Sequence, residues 1–172
     1  MNVTLVILRL VHLFGSVLWV GATFTMALFI APTAQAVGAE AGKFMTHFTK
    51  SSGISKWLAS ASGLTVLSGA WMYYILFGNG MAPMNVGTGL ALNIGVLAGL
   101  LAFFMGMRMG RMSREVGELG AAMAAGGPPK PEQVDRMAAM QEKMARHAVL
   151  NAILMVVALA GMTLSEYFTI TF

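Results

Sequence analysis

Residues 3–31 read VTLVILRLVHLFGSVLWVGATFTMALFIA, an apolar stretch in which Arg9 is the only charged side chain. A helix of about 20 apolar residues crosses the hydrocarbon core of a bilayer, so this stretch is long enough to span one. Pro32 follows directly, and because proline disrupts the helical hydrogen bonds, we expect the span to stop there. The stretch is too long for a signal-peptide core and has no basic leader, so we expect it to be retained.

Three further apolar stretches follow, at about residues 57–77, 86–107 and 147–170. The composition agrees with a chain made for lipid, since 57% of the residues are hydrophobic and only 10% are charged. A soluble domain carries about 25% charged residues. The chain has no cysteine, which excludes disulfides, thiolate metal sites and cysteine nucleophiles. We therefore predict an all-α fold, an integral membrane four-helix bundle that forms a single domain over residues 1–172.

The basic residues indicate how such a bundle is oriented. Lys43, Lys50 and Lys56 lie between the first and second spans. All other basic residues except Arg9 lie in the connection between the third and fourth spans. The latter connection holds Arg108, Arg111, Arg114, Lys130, Arg136, Lys143 and Arg146. The positive-inside rule places both connections in the cytoplasm, so an even number of spans puts both termini outside it.

We accordingly expect a multi-pass protein of the bacterial inner membrane, in contact with membrane lipid. Nucleic acid is not an expected partner, because the chain has no basic face with interleaved aromatic side chains. A homodimer or a larger membrane complex remains open.

The long connection at about residues 108–146 predicts a cytoplasmic helical hairpin. The sequence GGPPKP at 126–131 breaks a helix, and Pro131 and Glu132 can start a new one that runs into the fourth span. The hairpin is either a solvated spacer or a docking surface for a partner protein. In the shorter connection, Phe44, Met45 and Phe48 predict an apolar stripe at the membrane interface.

Ionisable side chains within membrane spans are costly, and each is a hypothesis for function. Arg9, His12 and Glu166 are the three in this chain. With a rise of about 1.5 Å per residue, Arg9 and Glu166 lie near one level. They are predicted either to form an ion pair between the first and fourth spans, or to leave Arg9 to neutralise an anionic group such as a porphyrin propionate.

His12 is the strongest candidate for a ligand. It follows Arg9 by three residues on one helix face, which Gly15 continues. Haem iron binds imidazole from helix faces in other bundles, where small residues make room for the macrocycle. We predict a cofactor site with His12 as metal ligand, with Trp71, Asn93 and Met162 at nearly the same depth and Arg9 nearer the outer surface. Glycines that could make room for the macrocycle lie within about two turns of this depth: Gly15, Gly69, Gly95 and Gly161. The alternative is that His12 makes a hydrogen bond to a neighbour such as Asn93 or Tyr73.

The second axial ligand is open. His47 and His147 lie more than about 15 Å nearer the cytoplasmic end, so neither can pair with His12 inside one subunit. A five-coordinate haem, ligation by Met162 or a site shared across a dimer remain. The 16 methionines also suit Cu(I). They scatter around one helix at Met105, Met107, Met109 and Met112 and share a face at Met137, Met140 and Met144, and we interpret them as flexible packing.

The stretch LVHLFGSVLWVG at residues 10–21, followed by Ala31-Pro32, resembles the first helix of CopD-like bacterial membrane proteins. The overall layout resembles the HemJ-type protoporphyrinogen oxidases, which are four-helix membrane proteins that bind haem b. The resemblance implies that His12 is the haem ligand. That family also uses a lysine in its third span, where this chain has Asn93 as the nearest polar residue. The CopD-like resemblance implies copper uptake only loosely.

Three hypotheses follow from these patterns. The first is a haem b-binding membrane protein with a redox or electron-transfer role. The second is a non-catalytic subunit of a larger membrane complex, and the third is a copper-handling membrane protein. The chain has no HExxH motif, Walker loop, nucleophile elbow or paired carboxylates, so a hydrolase or phosphotransferase is not expected.

Overall fold

The computed structural model describes residues 2–38, 41–50, 52–78, 80–82, 87–126 and 130–167. All regular structure in these ranges is helical, which confirms the all-α prediction. The elements are α1 (Val3–Thr25), a π-helical turn (Met26–Ile30), α2 (Ala31–Val37), α3 (Ala41–Lys50), α4 (Ile54–Phe77), α5 (Gly87–Ala125), α6 (Pro131–Leu164) and a final 3₁₀ turn (Ser165–Tyr167).

Three of the described helical stretches are long and apolar enough to cross a membrane, judged by length and composition: Val3–Val37, Thr88–Met123 and Pro131–Leu164. Helix α4, which contains the second predicted span, is not among them. Its sequence includes Lys56, several serines and a threonine, which lower its hydropathy. Among these polar residues, Thr65 and Ser68 contact His12 of α1 and so form part of the contact between the two helices.

The four long helices pack as two pairs, α1 with α4 and α5 with α6, and contacts within each pair are far more extensive than those between the pairs. One buried cluster joins all four helices through Trp19, Ala61, Ala102 and Met155. The indole of Trp19 also meets the ring of Phe103 edge-on, with centroids 6.2 Å apart. The pairs are therefore joined around Trp19, seven residues along α1 from His12.

The α5–α6 pair depends on direct backbone contact at two glycines. A Cβ atom on Gly161 would lie 2.6 Å from the carbonyl oxygen of Ala91 and 2.7 Å from the Cα of Gly95. A Cβ on Gly95 would in turn lie 2.9 Å from the amide nitrogen of Met162. No side chain fits between the helices here, so glycine at both positions sets how closely they approach.

Most of the buried apolar residues are alanines, with Trp19, Met112 and Met155 as the large exceptions, and many large apolar side chains are exposed. Ala98, Ala102 and Ala158 are buried, whereas Leu97 and Phe104 are each 59% exposed. In water such an arrangement would leave most of the apolar surface uncovered. Small residues at the helix contacts are typical of bundles in membranes, where burial of large side chains brings no gain over contact with lipid.

The helix that contains the first predicted span does not end at Pro32, where the sequence predicts a stop. The helix continues through the π-helical turn Met26–Ile30 into α2, which ends at Val37. Proline has no amide hydrogen and crowds the preceding turn. The wider turn accommodates it, and the amide of Ala31 bonds to the carbonyl of Met26. A π-helical turn is a known way for a helix to absorb such a disruption.

The helical hairpin is where the sequence predicts it. Helix α5 continues to Ala125 and α6 starts at Pro131, where the amide of Lys130 bonds to Oε1 of Gln133 at 3.1 Å. Gly120 faces Met137, because a Cβ on this glycine would lie 3.7 Å from the Met137 methyl group. The amphipathic segment forms α3, where the rings of Phe44 and Phe48 stack at 5.7 Å.

The glycine contact between α5 and α6 leads to a direct prediction. Gly161→Ala should destabilise the protein by about 1–3 kcal/mol, as overpacking of a closed contact does, and lower its melting temperature in detergent. Gly106→Ala is the matched control, because a Cβ there meets nothing within 4 Å and alanine favours helix. Equal melting temperatures for the two variants would contradict the contact.

Candidate functional site

The imidazole of His12 is bonded to the backbone of the neighbouring helix. Its Nδ1 lies 2.8 Å from the carbonyl oxygen of Thr65, in α4. A carbonyl oxygen only accepts hydrogen bonds, so Nδ1 carries the hydrogen and donates it. The hydroxyl oxygen of Ser68 lies 3.5 Å from the same nitrogen. The hydrogen bond to the Thr65 carbonyl fixes the tautomer of the neutral ring and leaves the lone pair on Nε2.

Glycine at position 69 gives the ring its place against α4. A Cβ on Gly69 would lie 2.8 Å from Cε1 of His12 and 3.0 Å from Nδ1, but 3.9 Å from Nε2. The Nδ1 edge of the ring therefore faces α4 and Nε2 points away from it. Among the described residues, no hydrogen-bond partner is found for Nε2. The ring is held on one side and has a free ligand atom on the other.

Gly15 lies one turn further along α1 and closes the same helix contact. A Cβ there would lie 2.5 Å from Oγ1 of Thr65 and 3.1 Å from the carbonyl oxygen of Ala61. The space that the sequence suggested for a macrocycle at Gly15 is thus filled by α4. The backbones of α5 and α6 fill it in the same way at Gly95 and Gly161.

The hydroxyl groups around His12 are satisfied within their own helices. Thr65 donates to the carbonyl of Ala61 at 2.8 Å, and Ser68 donates to that of Leu64 at 2.5 Å. On α1, Ser16 donates to the carbonyl of His12 at 2.6 Å. Such bonds let serine and threonine sit in an apolar helix contact without an unpaired donor. The Thr65 carbonyl oxygen is shared, because the Ser68 hydroxyl also lies 3.1 Å from it, beside the imidazole at 2.8 Å.

Arg9 is exposed, and it lies one turn before His12 on α1. Within the described part of the chain it forms no ion pair, the pair found there being Arg146 with Glu142. The side chain of Glu166 lies outside the described residues, so its predicted pairing with Arg9 stays a prediction.

Asn93 and Tyr73 bond to each other. The Tyr73 hydroxyl donates to Oδ1 of Asn93 at 2.6 Å and accepts from the amide of Ala82 at 2.8 Å. Nδ2 of Asn93 donates to the carbonyl oxygen of Ala82 at 3.0 Å. This network holds Ala82 against both helices, whereas the hydrogen bonds of His12 go to the Thr65 carbonyl and Ser68, both in α4.

Met162 lies within the α5–α6 pair, and Trp71 lies on an exposed part of α4. A Cβ on Gly99 would lie 3.6 Å from the methyl group of Met162, so this side chain packs within the α5–α6 pair. Trp71 is 61% exposed. At 100° per residue it lies about 120° around α4 from Thr65. His12 is level with Thr65 and Gly69, which is deeper along α4 than the predicted level at Trp71.

The two remaining histidines lie on other helices, His147 on α6 and His47 on α3. Nδ1 of His147 lies 2.8 Å from the carbonyl of Lys143 in its own helix, and His47 is exposed on α3. No group of three or more His, Cys, Asp or Glu side chains that could hold a metal ion occurs in the described ranges. Met112 is 9% exposed, and Met137, Met140 and Met144 are half-buried in the hairpin, which favours packing over copper passage.

Gly69 is one of the glycines that the sequence places near the depth of His12, whereas Thr65 and Ser68 are the site residues that sequence reasoning missed. The pattern that could have indicated them is Ser62, Thr65 and Ser68, which are three residues apart and therefore share one face of an otherwise apolar helix. All three are buried. Their partner on α1 cannot be read from residue types, because His12 bonds to a backbone oxygen that every residue has.

The His12 geometry predicts a specific imidazole spectrum. In protein labelled with ¹⁵N-histidine, the resonance pair that disappears in His12→Gln should show a protonated Nδ1 and an unprotonated Nε2 when the ring is neutral. Gly69→Ala should shift this pair by displacing the ring, whereas Gly63→Ala should not, because a Cβ on Gly63 meets nothing within 4 Å. A proton on Nε2 in place of Nδ1 would refute the assignment.

Comparison with known proteins leaves the site to be judged on its geometry. No family model, curated protein or solved structure matches the chain. The resemblance to CopD-like and HemJ-type proteins rests on the residues quoted above and stays a prediction.

Proposed function

We propose that the chain is an integral membrane protein that binds haem b through His12 and acts in electron transfer or redox chemistry. The observation that carries this proposal is the orientation of the His12 ring. Nδ1 donates to the Thr65 carbonyl at 2.8 Å, and Nε2 points away from α4 with no described hydrogen-bond partner.

Metal-binding histidines share this arrangement. A histidine that ligates a metal through one nitrogen nearly always donates its other N–H to a carbonyl, a carboxylate or water. The bond holds the ring in one orientation and makes the ligating nitrogen more basic. A ring bonded through Nδ1 to a fixed helix backbone is therefore prepared to ligate through Nε2. Thr65 acts here as a positioning residue, through its backbone.

The porphyrin would lie between the two helix pairs, on the Nε2 side of His12. The glycine contacts within each pair are closed, but contacts between the pairs are sparse and their shared buried cluster is at Trp19. Arg9, exposed one turn from His12, would neutralise a propionate. The bound haem would supply an iron that changes its charge by one electron. The chain would contribute the His12 ligand, the space beside Gly69 that holds its ring, and the positive charge of Arg9.

Burial of small residues and exposure of large apolar ones support the membrane location. We propose that α4 crosses the membrane together with the three long apolar stretches, because it packs against α1 and shares the buried cluster. The hairpin and α3 then lie in the cytoplasm and both termini lie outside it, in a bacterial inner membrane, as the distribution of basic residues indicates.

The orientation is testable because the chain has no cysteine of its own. In intact cells, a membrane-impermeant maleimide should label Asn2→Cys but not Ala121→Cys, which lies on the exposed hairpin surface. Opening the cells should make Ala121→Cys reactive. Labelling of Ala121→Cys from outside, with Asn2→Cys protected, would reverse the orientation.

Purification from haem-replete cells tests the cofactor. The wild-type protein should show a Soret band, and His12→Ala should abolish or shift it. Gly69→Ala should weaken haem retention by about 10- to 100-fold, as loss of a supporting contact to a metal-ligating histidine does. His147→Ala is the control, since that ring bonds within its own helix.

Two outcomes would refute haem binding at this site. The first is a wild-type protein that is folded, by circular dichroism and gel filtration, but colourless. The second is a His12→Ala protein that keeps the wild-type spectrum.

A further inference from the structure

Charges on the α5–α6 hairpin are sorted by distance from the apolar segments. Residues 107–114 and 143–150 contain Arg108, Arg111, Arg114, Lys143 and Arg146 and no acidic residue. Residues 115–142, which lie beyond these cations and include the tip, contain five acidic residues and only Lys130 and Arg136 as cations; two of the acids, Glu115 and Glu142, directly adjoin the basic residues. The five cations next to the apolar segments are called the basic collar below.

The two helices bring the basic collar together at one level. Gly95 faces Gly161, and Gly120 faces Met137, which fixes the antiparallel register of α5 and α6. The same register places Arg111 opposite Arg146. Arg114 then lies opposite Lys143, one turn further along.

On α5, the basic collar continues an exposed apolar stripe. Leu97, Leu101 and Phe104 are 59%, 49% and 59% exposed. Spacings of four, three, four and three residues carry this face on to Arg108 and Arg111, which are also exposed. An elongated molecule lying on the stripe would thus have its apolar part against leucine and phenylalanine and its end at two guanidinium groups.

Helix α6 repeats the pattern in the opposite chain direction. Ile153 and Leu150 are 54% and 47% exposed, and the same face continues to Arg146 and Lys143. The side of the hairpin between the helices is different, since Met112, at the level of the basic collar, is only 9% exposed. The cations and the apolar stripes therefore share the outer surface.

The cations have little internal neutralisation. Arg146 pairs with Glu142 at 2.5 Å, with the two side chains 77% and 66% exposed. Within the described residues, Arg108, Arg111, Arg114 and Lys143 form no ion pair. Guanidinium groups bind phosphate oxygens through paired, charge-assisted hydrogen bonds.

We propose that the basic collar binds the phosphate headgroups of anionic glycerophospholipids, with the acyl chains on the apolar stripes. The proposal rests on the membrane location in the proposed function and is independent of haem binding. Charge alone would equally suit an acidic protein. The apolar stripes that end at the arginines favour the lipid, because they match a molecule with chains and an anionic head.

The test uses the full-length protein in nonionic detergent and native mass spectrometry. The protein is titrated with phosphatidylglycerol or with phosphatidylcholine of the same acyl chains. Wild-type protein should retain phosphatidylglycerol preferentially. Arg111→Gln/Arg114→Gln should weaken that retention by about fivefold for each arginine removed. Lys130→Gln/Arg136→Gln, which removes the same charge from the far end, should leave the preference unchanged.

Several results would overturn the proposal. These are equal retention of the two lipids by the wild type, an equal loss in both double variants, and an acidic protein that displaces phosphatidylglycerol from the wild type. Alkaline carbonate extraction of membranes separates this proposal from the proposed function. Release of the wild type would refute the membrane location and the basic collar with it, whereas a retained, colourless protein with the lipid preference would refute haem binding alone.

Discussion

The hydrogen bond from His12 to the Thr65 carbonyl is the contact on which the α1–α4 pair and the candidate site both depend. It forms because glycines lie on each side of it: Gly69 gives room for the ring, and Gly15 lets the two backbones approach. An imidazole in an apolar environment would otherwise leave a polar N–H without a partner, which is costly. The same bond that locks two helices together also determines which ring nitrogen remains available.

Small residues at helix contacts also determine how the rest of the bundle packs. Helices α5 and α6 touch at Gly95 and Gly161, and the four helices share one buried cluster around Trp19. Many large apolar side chains are exposed on the outside of the bundle, where lipid would cover them in the proposed membrane location. Two features are thus separated along the bundle: a ring with a free nitrogen lies near the N-terminus of α1, and exposed charges lie on the α5–α6 hairpin.

Much of this architecture is predictable because it depends on local sequence signals. Apolar length gives the helices, and the prolines around residue 130 give the hairpin, whose new helix starts at Pro131. Pro32 was misleading because a π-helical turn absorbs its effect, and the turn depends on backbone adjustments that no residue type announces. The partner of His12 was missed for a similar reason, since a backbone carbonyl has no sequence signature. The depth estimated from the ends of the spans put Trp71 of α4 level with His12, whereas the residue beside the His12 ring is Gly69, two positions away.

An experimental structure of the protein, purified from haem-replete membranes and kept in lipid, tests the central claim most directly. The account predicts a porphyrin between the two helix pairs, its iron bonded to Nε2 of His12, with Nδ1 still donating to the Thr65 carbonyl. A folded bundle with no porphyrin, in which Nε2 of His12 bonds to a side chain of the same chain, would contradict it.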